Sequence, residues 1–202
     1  TKEVVQRLNI QNTVYSKKGL RATELYENSA PFLVTVISEK KVPADFKIEP
    51  VKVQLNGDKV LLSSENLDNT ITSTYNKTIN LPFANLILTK NPKYTKTDLI
   101  DPNKLYFVFA PIDKVVSDLQ KIIDIKLVDK EATVIGISIN YPNIDKGKAI
   151  VNTLVNVYNN DAILDKNLES KKTKDFIDER LSIISRELGD VETQKENFKT
   201  SN

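Results

Sequence analysis

Four residue types are missing from the 202-residue chain: histidine, cysteine, methionine and tryptophan. Without histidine or cysteine, the chain cannot build a histidine-based triad, a thiol nucleophile, a disulfide or an ordinary zinc site. Glycine is scarce, with five residues, and neither a Walker-type phosphate loop nor a dinucleotide-binding glycine motif occurs. Because methionine is absent, we expect the chain to be a fragment or a processed product whose ends need not be natural ones.

The charges nearly cancel, with 29 basic and 27 acidic residues and a formal net charge of +2. This balance predicts no strong attraction to nucleic acid or to an anionic membrane surface. No run of about 18 apolar residues occurs, so the sequence predicts no membrane-spanning segment within the chain. If the parent protein is anchored in a membrane, we expect its anchors to lie outside these residues.

The order of local patterns predicts an α+β fold, with a mixed or antiparallel sheet base, a β-rich insertion and a long protruding C-terminal helix. Residues 47–63 are the clearest hairpin, because alternating residues flank Asn56-Gly57-Asp58. A strand pair is predicted for 71–79 with 85–90. The other predicted elements are helices at 2–10 and 112–122 and strands at 13–21, 32–38, 105–111, 123–128 and 132–141, with a turn at Lys130-Glu131 between the last two.

No proline follows Pro142, and Asn143 or Asp145 can cap a helix that begins there. A helix over residues 145–198 would be about 80 Å long. Its distal half carries apolar residues at alternating spacings of four and three, the pattern of a coiled-coil seam. We expect this seam to pair with another helix, from residues outside the chain or from another subunit; the alternative is a helix that folds back on its own domain. The seam consists of Ile177, Leu181, Ile184, Leu188 and Val191, with Lys195 and Phe198 at the next two positions.

These patterns predict three parts: an α/β base from residues 1–31 and 112–160, a β-rich inserted lobe from 32–111, and a helical arm from 161–202. The sequence leaves open whether the lobe packs separately or merges with the base sheet. It predicts no catalytic, cofactor-binding or metal site and no cofactor, so we expect no enzyme activity from this chain. The densest carboxylates, Asp175, Asp178 and Glu179, could hold a metal, but neighbouring lysines favour a solvated face with ordinary ion pairs.

Three segments resemble the Wzz/Wzc family of polysaccharide co-polymerases, or chain-length determinants. Residues 24–31 (ELYENSAP) resemble a segment of the tyrosine-kinase-bearing members, and residues 137–192 resemble the family's final strand and charged helix, including FIDERL at 176–181. Residues 3–9 are similar to the helix that precedes the family's β-rich insertion. The positions that match as structural motif residues are Tyr26, Pro31, Pro142, Ala149, Asn152 and Tyr158.

The resemblance implies a domain on the periplasmic side of the bacterial inner membrane, tethered by flanking transmembrane helices. It implies a homo-oligomer in the full-length membrane form. The implied function is control of the length or export of an exopolysaccharide or O-antigen-type glycan, together with the polymerase or export machinery and the nascent glycan. The family's transmembrane helices and its cytoplasmic tyrosine autokinase domain have no counterpart in this chain, and the resemblance leaves open whether the parent carries the kinase.

Three other functions compete with this interpretation. A glycan-binding module would need an exposed aromatic platform, for which Tyr75, Tyr94 and Tyr106 are the candidates. A membrane-fusion-type adaptor would share the helical arm but would need a glycine-rich, lipoyl-like β domain. A glycoside hydrolase would need two carboxyl groups about 5–9 Å apart in a cleft, and no sequence pattern indicates such a pair.

Overall fold

The computed structural model describes residues 1–43, 45–96, 100–129 and 134–200. The chain divides into two compact units, Thr1–Leu154 and Val155–Asn202, and each is described by itself. Within the described residues, eleven strands form antiparallel sheets and a long helix ends the chain. The predicted α+β class is therefore confirmed.

In the described part of the chain, the elements are three α-helices, eleven strands and one 3₁₀ turn. Their bounds are α1 Lys2–Leu8, β1 Asn12–Lys18, β2 Arg21–Leu25, a 3₁₀ turn Glu27–Ser29, β3 Phe32–Glu39, β4 Val51–Asn56, β5 Lys59–Ser63, β6 Ile71–Thr74, β7 Thr78–Asn80, β8 Ala84–Lys90, β9 Leu105–Phe109, α2 Ile112–Ile122, β10 Ile123–Asp129, β11 Val134–Ile139 and α3 Ile144–Thr200.

The described residues of the first unit form three sheets. The largest has the strand order β2-β1-β9-β4-β5-β6, the second has the order β3-β8-β7, and β10 and β11 form a separate ribbon. Strands β1 and β2 thus share a sheet with strands from residues 32–111, so the two segments merge by hydrogen bonding. The division of the chain into base, lobe and arm stays a prediction.

The two larger sheets share one hydrophobic core. Alternate residues on β9 (Leu105, Phe107 and Phe109) are buried, and they belong to the same apolar cluster as Leu86 and Leu88 on β8. The rings of Phe83 and Phe109 stack with their centroids 5.1 Å apart. Because strand side chains alternate between faces, this burial pattern leaves the opposite face of β1, β2 and β9 free for other contacts.

Two strand predictions were wrong in the same way. Residues 13–21 were expected to be one strand, but Gly19, with a φ of 62°, turns the chain so that β1 and β2 form a hairpin. Residues 71–79 were also expected to be one strand. Asn76 has a φ of 62°, and the chain divides there into β6, which pairs with β5, and β7, which pairs with β8. The predicted turn at Lys130-Glu131 lies outside the described residues.

The turn at residue 57 permits a direct test of the confirmed β4–β5 hairpin. Gly57 has a φ of 62°, and no heavy atom lies within 4 Å of where a Cβ would be. We expect Gly57→Ala to lower the free energy of unfolding by about 1 kcal/mol, because a side chain is strained in the left-handed region even where space is available. Gly57→Asn is the matched control and should cost less, since asparagine tolerates this region. Equal unfolding free energies for the alanine variant and the wild type in urea titrations would contradict this explanation.

Candidate functional site

The long helix α3 begins with a side-chain cap that the sequence predicts. Asn143 precedes the first helical residue, and its Oδ1 accepts a hydrogen bond from the backbone N–H of Lys146 at 3.0 Å. Its carbonyl accepts the N–H of Gly147 at 2.9 Å. These two bonds satisfy amides of the first turn that would otherwise lack partners. The cap therefore sets the start of α3 at Ile144.

The first turn of α3 carries a buried cation. The Lys146 side chain is 3% exposed, and its Nζ lies 2.6 Å from Oε1 of Glu24, whose side chain is 12% exposed. The same ammonium donates to Oγ1 of Thr13 at 3.1 Å and lies 5.4 Å from the centre of the Tyr141 ring. A buried ammonium needs such compensation because its desolvation is costly. The contacts attach the start of α3 to β1 and β2.

Tyrosines surround this ion pair on the face of the six-stranded sheet that is opposite the core. Tyr15 pairs with Glu24 on β2 and with Tyr106 on β9, and the rings of Tyr15 and Tyr106 stack at 5.3 Å. Burial, with a contribution from the Glu24 carboxylate, raises the pKa of Tyr15 to about 12. The same two causes raise the pKa of Tyr141. Both phenols therefore stay protonated at pH values at which a solvated tyrosine ionises.

These raised pKa values predict a loss of stability at alkaline pH. The unfolded chain releases the Tyr15 proton near pH 10, whereas the folded chain holds it to about pH 12. The contribution of Tyr15 to stability is thus fully present below pH 10 and is lost as the pH rises towards 12. We expect a late phase in the tyrosinate absorbance titration that Tyr15→Phe diminishes. An unaltered late phase in Tyr15→Phe would contradict the assignment.

A cavity of about 230 Å³ adjoins the ion pair and is lined by Asn9, Asn12, Tyr26 and Lys146 among others. Its amides are engaged within the chain, since Nδ2 of Asn9 and Nδ2 of Asn12 donate to the Val34 carbonyl at 2.5 and 3.4 Å. Asn12 Oδ1 is enclosed and has no hydrogen-bond partner among the described residues. The side-chain amides of Asn9 and Asn12 thus tie the cavity wall to β3 through the Val34 carbonyl.

The structure brings residues 24–31 and the residues around the start of α3 into direct contact. Glu24 begins the ELYENSAP segment and Lys146 follows Pro142, so their ion pair joins residues 122 positions apart. The remainder of the first segment is fixed by Asn91, whose Nδ2 donates to the carbonyls of Glu27 and Ala30 at 2.6 and 2.7 Å. These positions have clear structural roles in holding the loop after β2 and the start of α3.

The six motif positions themselves differ in their surroundings. Tyr26 is partly buried, and burial raises its pKa. The carbonyl of Pro31 accepts the N–H of Asn91 at 3.3 Å. Farther along the chain, Pro142 and Asn152 are exposed and Ala149 is partly buried. Tyr158 is exposed and lies in the second unit.

The predicted seam is a continuous apolar stripe on the second unit. Helix α3 runs without interruption for 57 residues, as the sequence predicts, and ends at Thr200. All five aliphatic seam residues are 50–59% exposed. The side chain of Phe198 lies outside the described residues. The stripe comprises Ile177, Leu181, Ile184, Leu188 and Val191.

Several of the residues that the sequence offered for a metal site or an aromatic platform make contacts within the chain. Asp178 forms an exposed ion pair with Lys174, one helical turn away, at 3.1 Å. Tyr75 and Tyr94 pack partly against the core, and Lys90 Nζ lies 5.3 Å from the centre of the Tyr75 ring. In the described part of the chain, no group of three or more acidic side chains is placed to hold a metal ion.

Sequence reasoning missed Lys146, although the helical pattern contained a signal for it. Lys146 stands four residues before the fully buried Ile150 and eleven before the buried Val157, so all three share one helical face. A lysine on an apolar face requires an acidic partner, but the sequence does not identify Glu24 among the 27 acidic residues.

No helix among the described residues has an apolar stretch long enough to cross a bilayer. A comparison with protein-family models finds no match for this chain, and neither does a comparison with curated proteins.

Proposed function

We propose that this chain is the extracytoplasmic domain of a Wzz/Wzc-like polysaccharide co-polymerase. In this proposal it faces the periplasm and regulates the length or export of an exopolysaccharide or O-antigen-type glycan by oligomeric scaffolding. Its partners are further copies of itself in the membrane-anchored form, the polymerase or export machinery, and the nascent glycan. The observation that carries the proposal is the exposed apolar seam on α3.

The seam supports a scaffolding function because its residues are apolar, regularly spaced and exposed. Leucine and isoleucine side chains that are half exposed along one helix face lower the free energy when they pack against another helix. Isolated apolar residues are common on protein surfaces, but a contiguous stripe marks an interaction surface. A protein that acts by assembling with copies of itself needs such a surface and needs no reactive centre.

The start of α3 adds a second argument for a mechanical role. Within the first unit, the Asn143 cap and the Lys146–Glu24 ion pair hold the first turn of α3 on β1 and β2. The strands that receive it belong to the six-stranded sheet and share its core. The first turns of α3 are therefore held on a packed sheet, and a surface built on regular elements is positioned more precisely than one built on a loop.

The test is to disrupt the seam in the cells that encode the protein. Leu181→Asp combined with Ile184→Asp places two charges on the seam, and we expect a surface glycan that loses its preferred length while the amount of polymer is kept. Ser182→Asp combined with Thr193→Asp is the matched control, because it adds the same charge at exposed positions off the seam. Glycan lengths are read from a gel and the protein level from an immunoblot. An unchanged length distribution with the seam variant present at the wild-type level would overturn the proposal.

A further inference from the structure

We propose that the α3 seam pairs with the seam of a second copy of this chain in antiparallel orientation, with Leu181 of one copy opposite Ile184 of the other. The inference concerns the surface named above and rests on the proposed function only in treating that surface as a site of assembly. It adds the identity of the partner helix, its direction and its register.

The apolar residues fit this register. The seam residues occupy the a and d positions of successive heptads, with Leu181 and Leu188 at a and Ile177 and Ile184 at d. In an antiparallel coiled coil, a positions pack against d positions of the partner, so Leu181 lies opposite Ile184 and Leu188 lies opposite Ile177. The two-fold axis repeats both pairs, which makes four apolar layers from eight side chains. Each of these side chains is 50–57% exposed in the single chain and would lose that exposure on pairing.

The charges beside the seam complement each other in the same register. Arg180 of one copy comes opposite Glu187 of the other, and Lys171 comes opposite Glu192. Symmetry doubles both contacts, so four pairs of opposite charge flank the four layers. All four residues are exposed in the structure and can reach across a helix interface.

The alternative arrangements bring like charges together. In a parallel pair, Glu187 faces Glu192 of the other copy and Lys166 faces Lys171, with no opposite-charge contact to compensate. An antiparallel pair shifted by one heptad places Leu181 opposite Val191. In that register, however, Glu187 faces Glu187 of the other copy, and Asp178 faces Glu192. A shift in the other direction leaves only two all-apolar layers, flanked on both sides by Lys174 opposite Ile184. The charges and the apolar layers together therefore select one direction and one register.

Charge reversal at Glu187 distinguishes the two directions by the sign of its effect. In the antiparallel pair, Glu187→Arg places two arginines opposite each other, so we expect the dissociation constant to rise about tenfold at low salt. In a parallel pair, the new arginine would face Glu192, and the same substitution would tighten binding. Arg180→Glu combined with Glu187→Arg restores the antiparallel contacts and should return the affinity towards that of the wild type. Sedimentation equilibrium on the purified chain gives all three constants.

Cross-linking reads the direction independently, because the chain has no cysteine of its own. Lys174→Cys and Val191→Cys chains, one of them carrying a size tag, are mixed and oxidised. We expect a disulfide between the two variants, since the register places residue 174 opposite residue 191. In the antiparallel pair, the introduced thiols of two Val191→Cys chains would lie about 25 Å apart along the helices and could not react, whereas a parallel pair would join them.

Each outcome decides the inference. A monomer at the highest soluble concentration, or a disulfide that joins two Val191→Cys chains to each other, would overturn it. The latter result would leave the seam as an assembly surface and the proposed function intact. If the expected disulfide forms but the seam variant leaves the glycan length unchanged, the antiparallel pairing would stand and the proposed function would fail.

Discussion

Replacing Lys146 by alanine is expected to lower the free energy of unfolding of the first unit by about 3–5 kcal/mol. The substitution leaves the Glu24 carboxylate, with only 12% of its side chain exposed, without the ammonium that lies 2.6 Å away. A buried charge without a partner costs far more than the net energy of the intact pair. Urea unfolding followed by tyrosine fluorescence reports this directly, since Tyr15 and Tyr141 lie beside the pair.

Two controls separate the loss of the pair from the loss of a lysine. Lys174→Ala breaks an exposed ion pair with Asp178 and should cost less than about 1 kcal/mol. Glu24→Leu combined with Lys146→Met removes both charges and keeps apolar volume, so it should recover much of the stability lost in Lys146→Ala. A loss in Lys146→Ala no larger than that in Lys174→Ala would show that the buried pair is not what holds the start of α3.

The elements that the sequence predicts correctly are those with local causes. The Asn143 cap, the β4–β5 hairpin and the 57-residue α3 each depend on residues a few positions apart, whose spacing and turn chemistry are visible in the chain. The two strand errors also have a local cause. Gly19 and Asn76 adopt positive φ values, but neither stands in the dipeptides that usually mark a tight turn.

The ion pair at the start of α3 could not be predicted because its partners come from distant parts of the chain. Lys146 and Glu24 are 122 residues apart, and they meet only after β1, β2 and β9 have formed one sheet. The same holds for Asn91, which fixes the loop after β2 from 61 residues away through the carbonyl of Ala30. Local patterns indicate which elements exist, whereas these tertiary contacts depend on which strands become neighbours.

The second large effect is expected in the shared core. Phe107 is fully buried on β9, a strand that pairs with β1 and β4, and its ring belongs to the cluster that also contains Phe32 and Leu88. Phe107→Ala removes this ring and leaves a cavity, so we expect the free energy of unfolding to fall by about 3–5 kcal/mol. The measurement is urea unfolding of the first unit, combined with native-state hydrogen exchange of individual amides.

Hydrogen exchange tests whether the two larger sheets depend on one core. Since the cluster joins residues of both sheets, Phe107→Ala should reduce the protection of the slowest amides in β3 and β8 as well as in β1 and β9. Phe176→Ala is the matched control, because it deletes the same ring from a position that is 66% exposed and should change the stability by less than about 0.5 kcal/mol. Full protection in β3 and β8 beside a loss in β1 and β9 would mean that the sheets unfold independently, and the cluster could not then be a single cooperative core.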